Sequence, residues 1–236
     1  MTMIKAVLVD IDNTLLDFDA YVEETLKRGF EKFSLGEFTA ERLATFHRVN
    51  HGVWRELEQG IITYDEILKT RFNRIFAAMG ITFDGCVFEK FFKDSLFDNA
   101  IPVRGAAELL DFLSERFILC AASNGPFEQQ LNRLKVAGML EKFDHVFVSE
   151  AIGASKPSKD FFDHCMREIN KERTQRGEKN IDPGEVMMIG DSLTSDMAGA
   201  IGAGMHTCFF DKQRRGEAAP GVEHTVKDLR EIRTIL

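Results

Sequence analysis

The sequence predicts an α/β protein: a Rossmann-like parallel sheet forms the core, and an all-helical domain is inserted into it. Two observations support this class. Short apolar runs rich in β-branched residues alternate with amphipathic helical patterns, an order typical of a parallel sheet covered on both faces. One long stretch breaks the alternation, because from about Phe18 to Asn99 only helical patterns occur.

The predicted elements divide the chain into a core and an insertion. The core strands are expected at Ile4–Val9, Phe117–Ala122, His145–Val148, Glu185–Ile189 and His206–Phe210. The core helices are expected at Ala106–Glu115, Phe127–Val136, Lys159–Arg173 and Ser195–Ala203. The helices of the insertion are expected at Val22–Phe33, Ala40–Gln59, Tyr64–Met79 and Val87–Leu96. We therefore expect a Rossmann-like core of residues 1–17 and 100–236 and a helical domain of residues 18–99.

Composition excludes several classes of function. The 236 residues carry a net charge of −8, which disfavours binding to a nucleic acid polymer or an anionic membrane. No apolar run is as long as a membrane span, and the N-terminal residues do not resemble a signal peptide. The four cysteines lack the spacing of a metal site, which favours a reducing compartment. We expect a cytoplasmic protein that is a monomer or homodimer.

Polar clusters follow the ends of the predicted strands, where parallel sheets bind their ligands. Asp10 and Asp12 come directly after the first strand. Two carboxylates at this spacing are suited to phosphoryl transfer, with Asp10 attacking phosphorus and Asp12 protonating the leaving oxygen and later activating water. The alternative is a surface turn, since Asp and Asn favour loops.

Two further clusters carry groups that bind anions. Ser123 and Asn124 follow the second strand, where a hydroxyl and a backbone amide at a helix start are suited to phosphate oxygens. The alternative is helix capping, a frequent role of Ser and Asn. Lys156 precedes the helix that begins near Ser158, and its functional interpretation requires an anion nearby.

A fourth cluster supplies oxygen ligands for a metal. Asp191 lies where the fourth strand ends, and Asp196 lies in the first turn of the next helix. Carboxylates with few competing nitrogens suit Mg²⁺, a hard cation that prefers oxygen. The alternative for Asp196 is again a favourable position near a helix N-terminus.

Together the four clusters resemble the signature of the haloacid dehalogenase (HAD) superfamily. That signature is DxDx[TV], then Ser or Thr, then Lys, then GDxxxD or GDxxxxD, and it matches Asp10–Thr14, Ser123, Lys156 and Gly190–Asp196. The resemblance covers essentially the whole chain, and the helical insertion matches the family's cap domain. It implies a metal site of Asp10, the backbone carbonyl of Asp12, and Asp191, with Asp196 binding through water or orienting Lys156.

The resemblance also narrows the reaction. In the family, dehalogenases and phosphonatases lack the second carboxylate of the first motif, so Asp12 indicates a phosphomonoester hydrolase or a phosphomutase. The cap resembles the pyrimidine 5′-nucleotidase branch through the spacing of its Trp54, Gly60 and Thr63 elements. Phe18 or Trp54 is a candidate to stack on a base, the alternative being that both belong to the core of the cap.

Two hypotheses follow for the whole protein. The favoured one is an Mg²⁺-dependent phosphatase acting on a small phosphorylated metabolite, with nucleoside 5′-monophosphates ahead of sugar phosphates. The other is a binding module on a catalytically dead phosphatase fold, which would have no chemical need for every residue of the signature. We also expect hinges near Leu16–Asp19 and Asn99–Val103, which would let the cap close over the substrate.

Overall fold

A parallel sheet with flanking helices organises the chain, which confirms the predicted α/β class. The computed structural model describes residues 3–212, 216 and 220–236. Over these residues the strands are β1 (Ala6–Val9), β2 (Ile118–Ser123), β3 (His145–Val148), β4 (Val186–Gly190), β5 (His206–Phe210) and β6 (His224–Val226). They lie in the order β3-β2-β1-β4-β5-β6, and all neighbours are parallel. The sequence analysis did not predict β6, which has three residues and two polar side chains.

The central position of β1 sets the location of the polar clusters. β1 pairs with β2 on one side and with β4 on the other, so that Val9 lies beside both Ala121 and Ile189. Asp10 directly follows Val9, Gly190 directly follows Ile189, and Ser123 lies two residues after Ala121. The carboxyl ends of three strands therefore meet at one edge of the sheet.

Alternation along the buried strands divides the core into two apolar layers. In β1, Val7 and Val9 face one layer, whereas Ala6 and Leu8 face the other. Helices α5 (Ala106–Ser114) and α6 (Phe127–Val136) contribute to the first layer. Helices α8 (Lys159–Gln175) and α9 (Ala198–Ala203) contribute to the second. A short helix, α7 (Ser149–Ile152), follows β3.

The segment before α9 departs from the predicted helix Ser195–Ala203. Leu193–Met197 forms a π-helical turn, and α9 itself begins at Ala198. The Ser192 side chain caps this turn by accepting a hydrogen bond from the backbone N–H of Ser195 at 3.1 Å. Such wide turns are frequent at functional sites.

The chain divides into two compact units, Met1–Phe18 with Ala100–Leu236, and Asp19–Asn99. The helical unit contains most of α1 (Phe18–Lys32), together with α2 (Ala40–Glu58), α3 (Tyr64–Met79) and α4 (Gly85–Phe97). Its core is built from phenylalanine rings, with the centroids of Phe72 and Phe88 4.7 Å apart. The phenylalanine excess of the sequence is therefore largely explained by packing.

The four cysteines differ in their burial. Cys120, Cys165 and Cys208 are buried and Cys86 is exposed, all four with free thiols. Cys120 and Cys208 lie in apolar runs of the sequence, a position that predicts burial, and both are 0% exposed. Across the described ranges, no helix has both the length and the apolar character that crossing a membrane requires.

Candidate active site

The loop after β1 presents Asp10 at the carboxyl edge of the sheet. The Asp10 backbone N–H donates to the Ile189 carbonyl at 2.9 Å, which extends the strand pairing by one residue. The chain then turns sharply, because Asn13 adopts a left-handed φ of 61°, a conformation that Asn tolerates well. Within this turn the Thr14 hydroxyl donates to Asp10 Oδ2 at 3.2 Å. The carboxylate is thus fixed and 7% exposed.

Lys156 links the carboxylates of two different loops. Its Nζ donates to Asp10 Oδ1, Asp196 Oδ1 and the Ala122 carbonyl, each at 2.7 Å. An ammonium group has three donors, so these contacts use all of them. The side chain is 2% exposed, and its charge is therefore held inside the protein by two carboxylates.

Burial and charge act in opposite directions on these groups. Burial raises the pKa of the Asp10 carboxyl to about 7, with repulsion from Asp196 adding to the rise and the attraction of Lys156 opposing it. Burial alone would lower the pKa of Lys156, but the charges of Asp10 and Asp196 outweigh it and hold that pKa above its usual value. Lys156 is therefore a permanent cation, and Asp10 needs more positive charge to remain fully ionised at neutral pH.

Three carboxylates gather around this point. Oxygen atoms of Asp10, Asp191 and Asp196 lie within 4.8 Å of one another. Asp196 is fixed by the backbone N–H of Ser192, which donates to its Oδ2 at 3.1 Å. Lys156 binds two of these three carboxylates, Asp10 and Asp196. The donor set is all oxygen, and it fits a hard divalent cation such as Mg²⁺.

Ser123 and Asn124 take different roles at the end of β2. The Ser123 hydroxyl accepts from the backbone N–H of Gly125 at 3.0 Å and from Gln130 Nε2 at 2.8 Å. The Asn124 side chain binds the backbone of Lys156, donating to its carbonyl at 2.9 Å and accepting from its N–H at 2.8 Å. The side chain of Asn124 thus joins two loops of the site.

The Asp12 carboxylate is held by two residues that the sequence analysis missed. Arg133 Nη1 donates to Asp12 Oδ1 and Gln130 Nε2 donates to Asp12 Oδ2, both at 2.6 Å. Both partners lie on α6, three residues apart, and face inward. The available signal was a glutamine and an arginine on the face of α6 that also carries the buried Leu134.

The two aromatic candidates lie in different units. Phe18 begins α1 at the end of the first segment of the core unit, and it is half-buried. Trp54 lies on α2 of the helical unit, half-buried, with its ring 6.2 Å from that of Tyr64. Contact of either residue with a substrate stays a prediction.

Comparisons with known proteins identify relatives over nearly the whole chain. The family model for haloacid dehalogenase-like hydrolases matches residues 4–204. YfnB of Bacillus subtilis (strain 168), which is named as a HAD-hydrolase, is 31% identical over 100% of this chain and 97% of its own. The magnesium-bound crystal structure of YfnB has a TM-score of 0.85 at 29% identity, covering 100% of this chain and 99% of that one.

Two other relatives carry the name of an activity. The pyrimidine 5′-nucleotidase PynA of Streptococcus pneumoniae (strain ATCC BAA-255 / R6) is 33% identical over 88% of this chain and 84% of its own. The pyrimidine 5′-nucleotidase YjjG of Escherichia coli (strain K12) is 29% identical over 98% of this chain and 96% of its own. The resemblance stated from the motifs is thereby confirmed.

Proposed function

The chain belongs to the haloacid dehalogenase-like hydrolases, and we propose that it hydrolyses phosphomonoesters through a phosphoryl group carried transiently on Asp10. The observation that carries this proposal is the cluster of Asp10, Asp191 and Asp196 with Lys156 bound between two of its members. Burying a lysine among carboxylates carries a desolvation penalty, so this arrangement favours catalysis over a binding module as the role of the site.

The reaction proceeds through two successive displacements at phosphorus. In the first, a carboxylate oxygen of Asp10 forms a bond to phosphorus, the ester P–O bond breaks, and Asp12 gives its proton to the leaving oxygen. In the second, water attacks the same phosphorus and loses a proton to Asp12. The bond between Asp10 and phosphorus breaks, which releases inorganic phosphate and restores both carboxyl groups.

The other groups stabilise charge on the transferring phosphoryl group. Lys156 contacts the Asp10 carboxylate and is a cation in the interior, where electrostatic interactions are stronger than in water. Ser123 lies at the end of β2 and would bind a phosphate oxygen together with backbone amides of the following loop. Positioning and electrostatic stabilisation account for most of phosphoryl-transfer catalysis.

Mg²⁺ fits the donor set of this site. Asp10, Asp191 and the backbone carbonyl of Asp12 would hold it, with Asp196 contributing directly or through water. When bound, the cation would neutralise the carboxylates and the substrate phosphate, so that one anion can approach another. The raised pKa of Asp10 is in keeping with a site that is completed by a cation.

The substrate class follows from Asp12 and from the relatives. A carboxyl group two residues after the nucleophile serves an alkoxide leaving group, which needs a proton, and does not serve a halide. The similarity to two pyrimidine 5′-nucleotidases supports nucleoside 5′-monophosphates as substrates. In that case Phe18 or Trp54 would stack on the base, and the helical unit would act as the cap that selects it.

A phosphate-release assay tests the proposal. We expect hydrolysis of pyrimidine nucleoside 5′-monophosphates with Mg²⁺, at higher kcat/KM than for purine nucleotides or sugar phosphates. Chelation of the metal should lower the rate about a hundredfold or more, because several kcal/mol of charge stabilisation are lost. No phosphate release from any of these esters would overturn the proposed function. A preference for sugar phosphates would overturn only the substrate class.

A further inference from the structure

A buried polar pair on α6 connects two parts of the site. The Arg133 guanidinium binds Asp12 Oδ1 at 2.6 Å and the Gln130 side-chain carbonyl at 3.0 Å. The Gln130 amide nitrogen donates in turn to Asp12 Oδ2 at 2.6 Å and to the Ser123 hydroxyl at 2.8 Å. Both oxygens of Asp12 are therefore held, and the same network reaches the residue at the end of β2.

Burying these polar side chains costs desolvation free energy, which their hydrogen bonds must offset. Arg133 is 1% exposed and Gln130 is also 1% exposed, on a helix whose inward face could have been apolar. A buried arginine needs a carboxylate partner to offset its desolvation, and Asp12 is such a partner. The Asp12 side chain is itself 32% exposed, which leaves it open to a reacting group.

Close packing fixes Gln130 in this position. A Cβ placed on Gly125 would lie 2.3 Å from Gln130 Nε2, well inside contact distance. The absence of a side chain at residue 125 thus allows the loop after β2 to close directly over the glutamine amide. The loop and the amide hold each other, and Gln130 has little freedom to leave Asp12.

We propose that Gln130 and Arg133 are positioning residues that hold the Asp12 carboxyl group at the place where it exchanges a proton with the leaving oxygen. This inference rests on the proposed function. We call the two side chains the Asp12 clamp. Each carboxyl oxygen has more than one lone pair, so an oxygen that accepts a hydrogen bond from the clamp can still carry the proton. The clamp touches neither phosphorus nor the leaving group.

The leaving group distinguishes positioning of the acid from general support of the fold. The 5′-oxygen of uridine 5′-monophosphate is a poor leaving group that needs a proton from Asp12 to leave as the hydroxyl of uridine, whereas the nitrophenolate of p-nitrophenyl phosphate leaves without one. kcat/KM covers the steps up to the first irreversible one, which is phosphoryl transfer to Asp10. A misplaced Asp12 therefore lowers kcat/KM for the nucleotide more than for the aryl ester.

The test compares both esters in Arg133→Met and Gln130→Met, with Mg²⁺ present. We expect kcat/KM for uridine 5′-monophosphate to fall about ten- to a hundredfold in both variants, part of the usual contribution of a general acid. That for p-nitrophenyl phosphate should change only a few-fold in Arg133→Met, and should fall further in Gln130→Met, which also loses the hydrogen bond to Ser123, but by less than the nucleotide. Thermal melting checks that each variant is folded. Two variants are used so that the unfolding of one leaves the other as the test.

Three further variants serve as controls. Lys135→Met removes a cation from the exposed face of the same helix and should leave both esters unaffected. In an Asp12→Asn background, Arg133→Met should cause no further loss on the nucleotide, because the group it positions is already absent. Arg133→Lys retains the charge and should recover part of the activity.

The outcomes distinguish a failure of the Asp12 clamp from a failure of the proposed function. Equal losses on both esters in folded variants, or no loss on either, would overturn the clamp and leave the phosphatase intact. A further loss from Arg133→Met in the Asp12→Asn background would also overturn it. If the wild-type protein hydrolyses neither ester, the proposed function fails and the clamp fails with it.

Discussion

Gly190 is constrained by a neighbour in the site and not by its own conformation. A Cβ at this residue would lie 2.2 Å from Asp196 Oδ2, and the Asp196 carboxylate in turn binds Lys156 and the Ser192 backbone. The glycine that precedes Asp191 in the motif therefore leaves the space in which Asp196 turns back towards β4. The need to leave room for the Asp196 side chain explains why the motif has a glycine at residue 190.

Gly190→Ala should displace Asp196 and weaken the site. Overpacking of this kind costs about 1–3 kcal/mol of stability, and the displaced carboxylate no longer holds Lys156. We expect a lower melting temperature together with loss of most phosphatase activity. Gly202→Ala is the matched control, because a Cβ there meets nothing within 4 Å. Unchanged activity in Gly190→Ala would contradict the role given to this contact.

The elements show how far the sequence predicts the structure and where it stops. The long apolar runs around β1, β2 and β4 are unambiguous, because buried parallel strands require them. In contrast, β6 is too short to carry a pattern, and the π-helical turn at Leu193–Met197 depends on tertiary contacts of Asp196. Helix α1 begins at Phe18, four residues before the predicted Val22. The sequence predicts the later start because Phe18 and Asp19 resemble loop residues after the first motif.

The same limit applies to the site. Asp10, Ser123 and Asp191 lie at or directly after strand ends, and Lys156 and Asp196 lie just before α8 and α9, so a boundary that the sequence pattern indicates is near each of them. Gln130 and Arg133 act from the inward face of a helix, where a polar residue has meaning only once its partner across the fold is known. Distances between loops cannot be derived from spacing along the chain.

Helices α3 and α4 are joined by a buried ion pair that gives a prediction at this scale. Arg71 and Glu89 form a two-pronged pair at 7% and 5% side-chain exposure, and Asn50 accepts a further hydrogen bond from the arginine at 3.3 Å. Removing one partner leaves a buried charge uncompensated. Glu89→Ala should therefore lower the free energy of unfolding by about 3–5 kcal/mol, as measured by urea denaturation.

An exposed ion pair between α2 and α3 serves as the control. Arg74 and Glu56 lie 2.7 Å apart at 41% and 35% side-chain exposure, so Glu56→Ala should cost about 1 kcal/mol or less. The double variant Arg71→Met/Glu89→Leu should lose less stability than Glu89→Ala alone, because no unpaired charge remains. Equal costs for the buried and exposed pairs would show that burial does not decide the energetics here.

At the scale of the whole molecule, the thiols report on the integrity of the core. Burial raises the pKa of the thiols of Cys120, Cys165 and Cys208, that of Cys208 to about 12, whereas Cys86 is exposed. A thiol reagent at pH 8 should modify Cys86 alone in the native protein and all four cysteines after denaturation. Rapid modification of more than one thiol in the folded protein would contradict the packing.

The raised pKa of Cys208 predicts that the folded protein loses stability in alkali. The Cys208 thiol ionises near its ordinary pKa of 9.0 when unfolded, but only near 12 when folded. Between these values the unfolded state binds fewer protons, so the free energy of unfolding falls as pH rises, by up to about 1.4 kcal/mol per pH unit for each thiol. Cys208→Ala should make this decline shallower between pH 9 and 12.

The proposed mechanism requires that a phosphoryl group becomes covalently bound to Asp10. Rapid acid quenching during turnover of a nucleoside 5′-monophosphate, followed by borohydride reduction, converts an aspartyl phosphate to homoserine, which mass spectrometry can locate. We predict homoserine at residue 10 in the wild-type protein, with neither this modification nor phosphate release in a folded Asp10→Asn variant. Phosphate release by Asp10→Asn, or turnover by the wild-type protein with no modification at residue 10, would contradict the central claim.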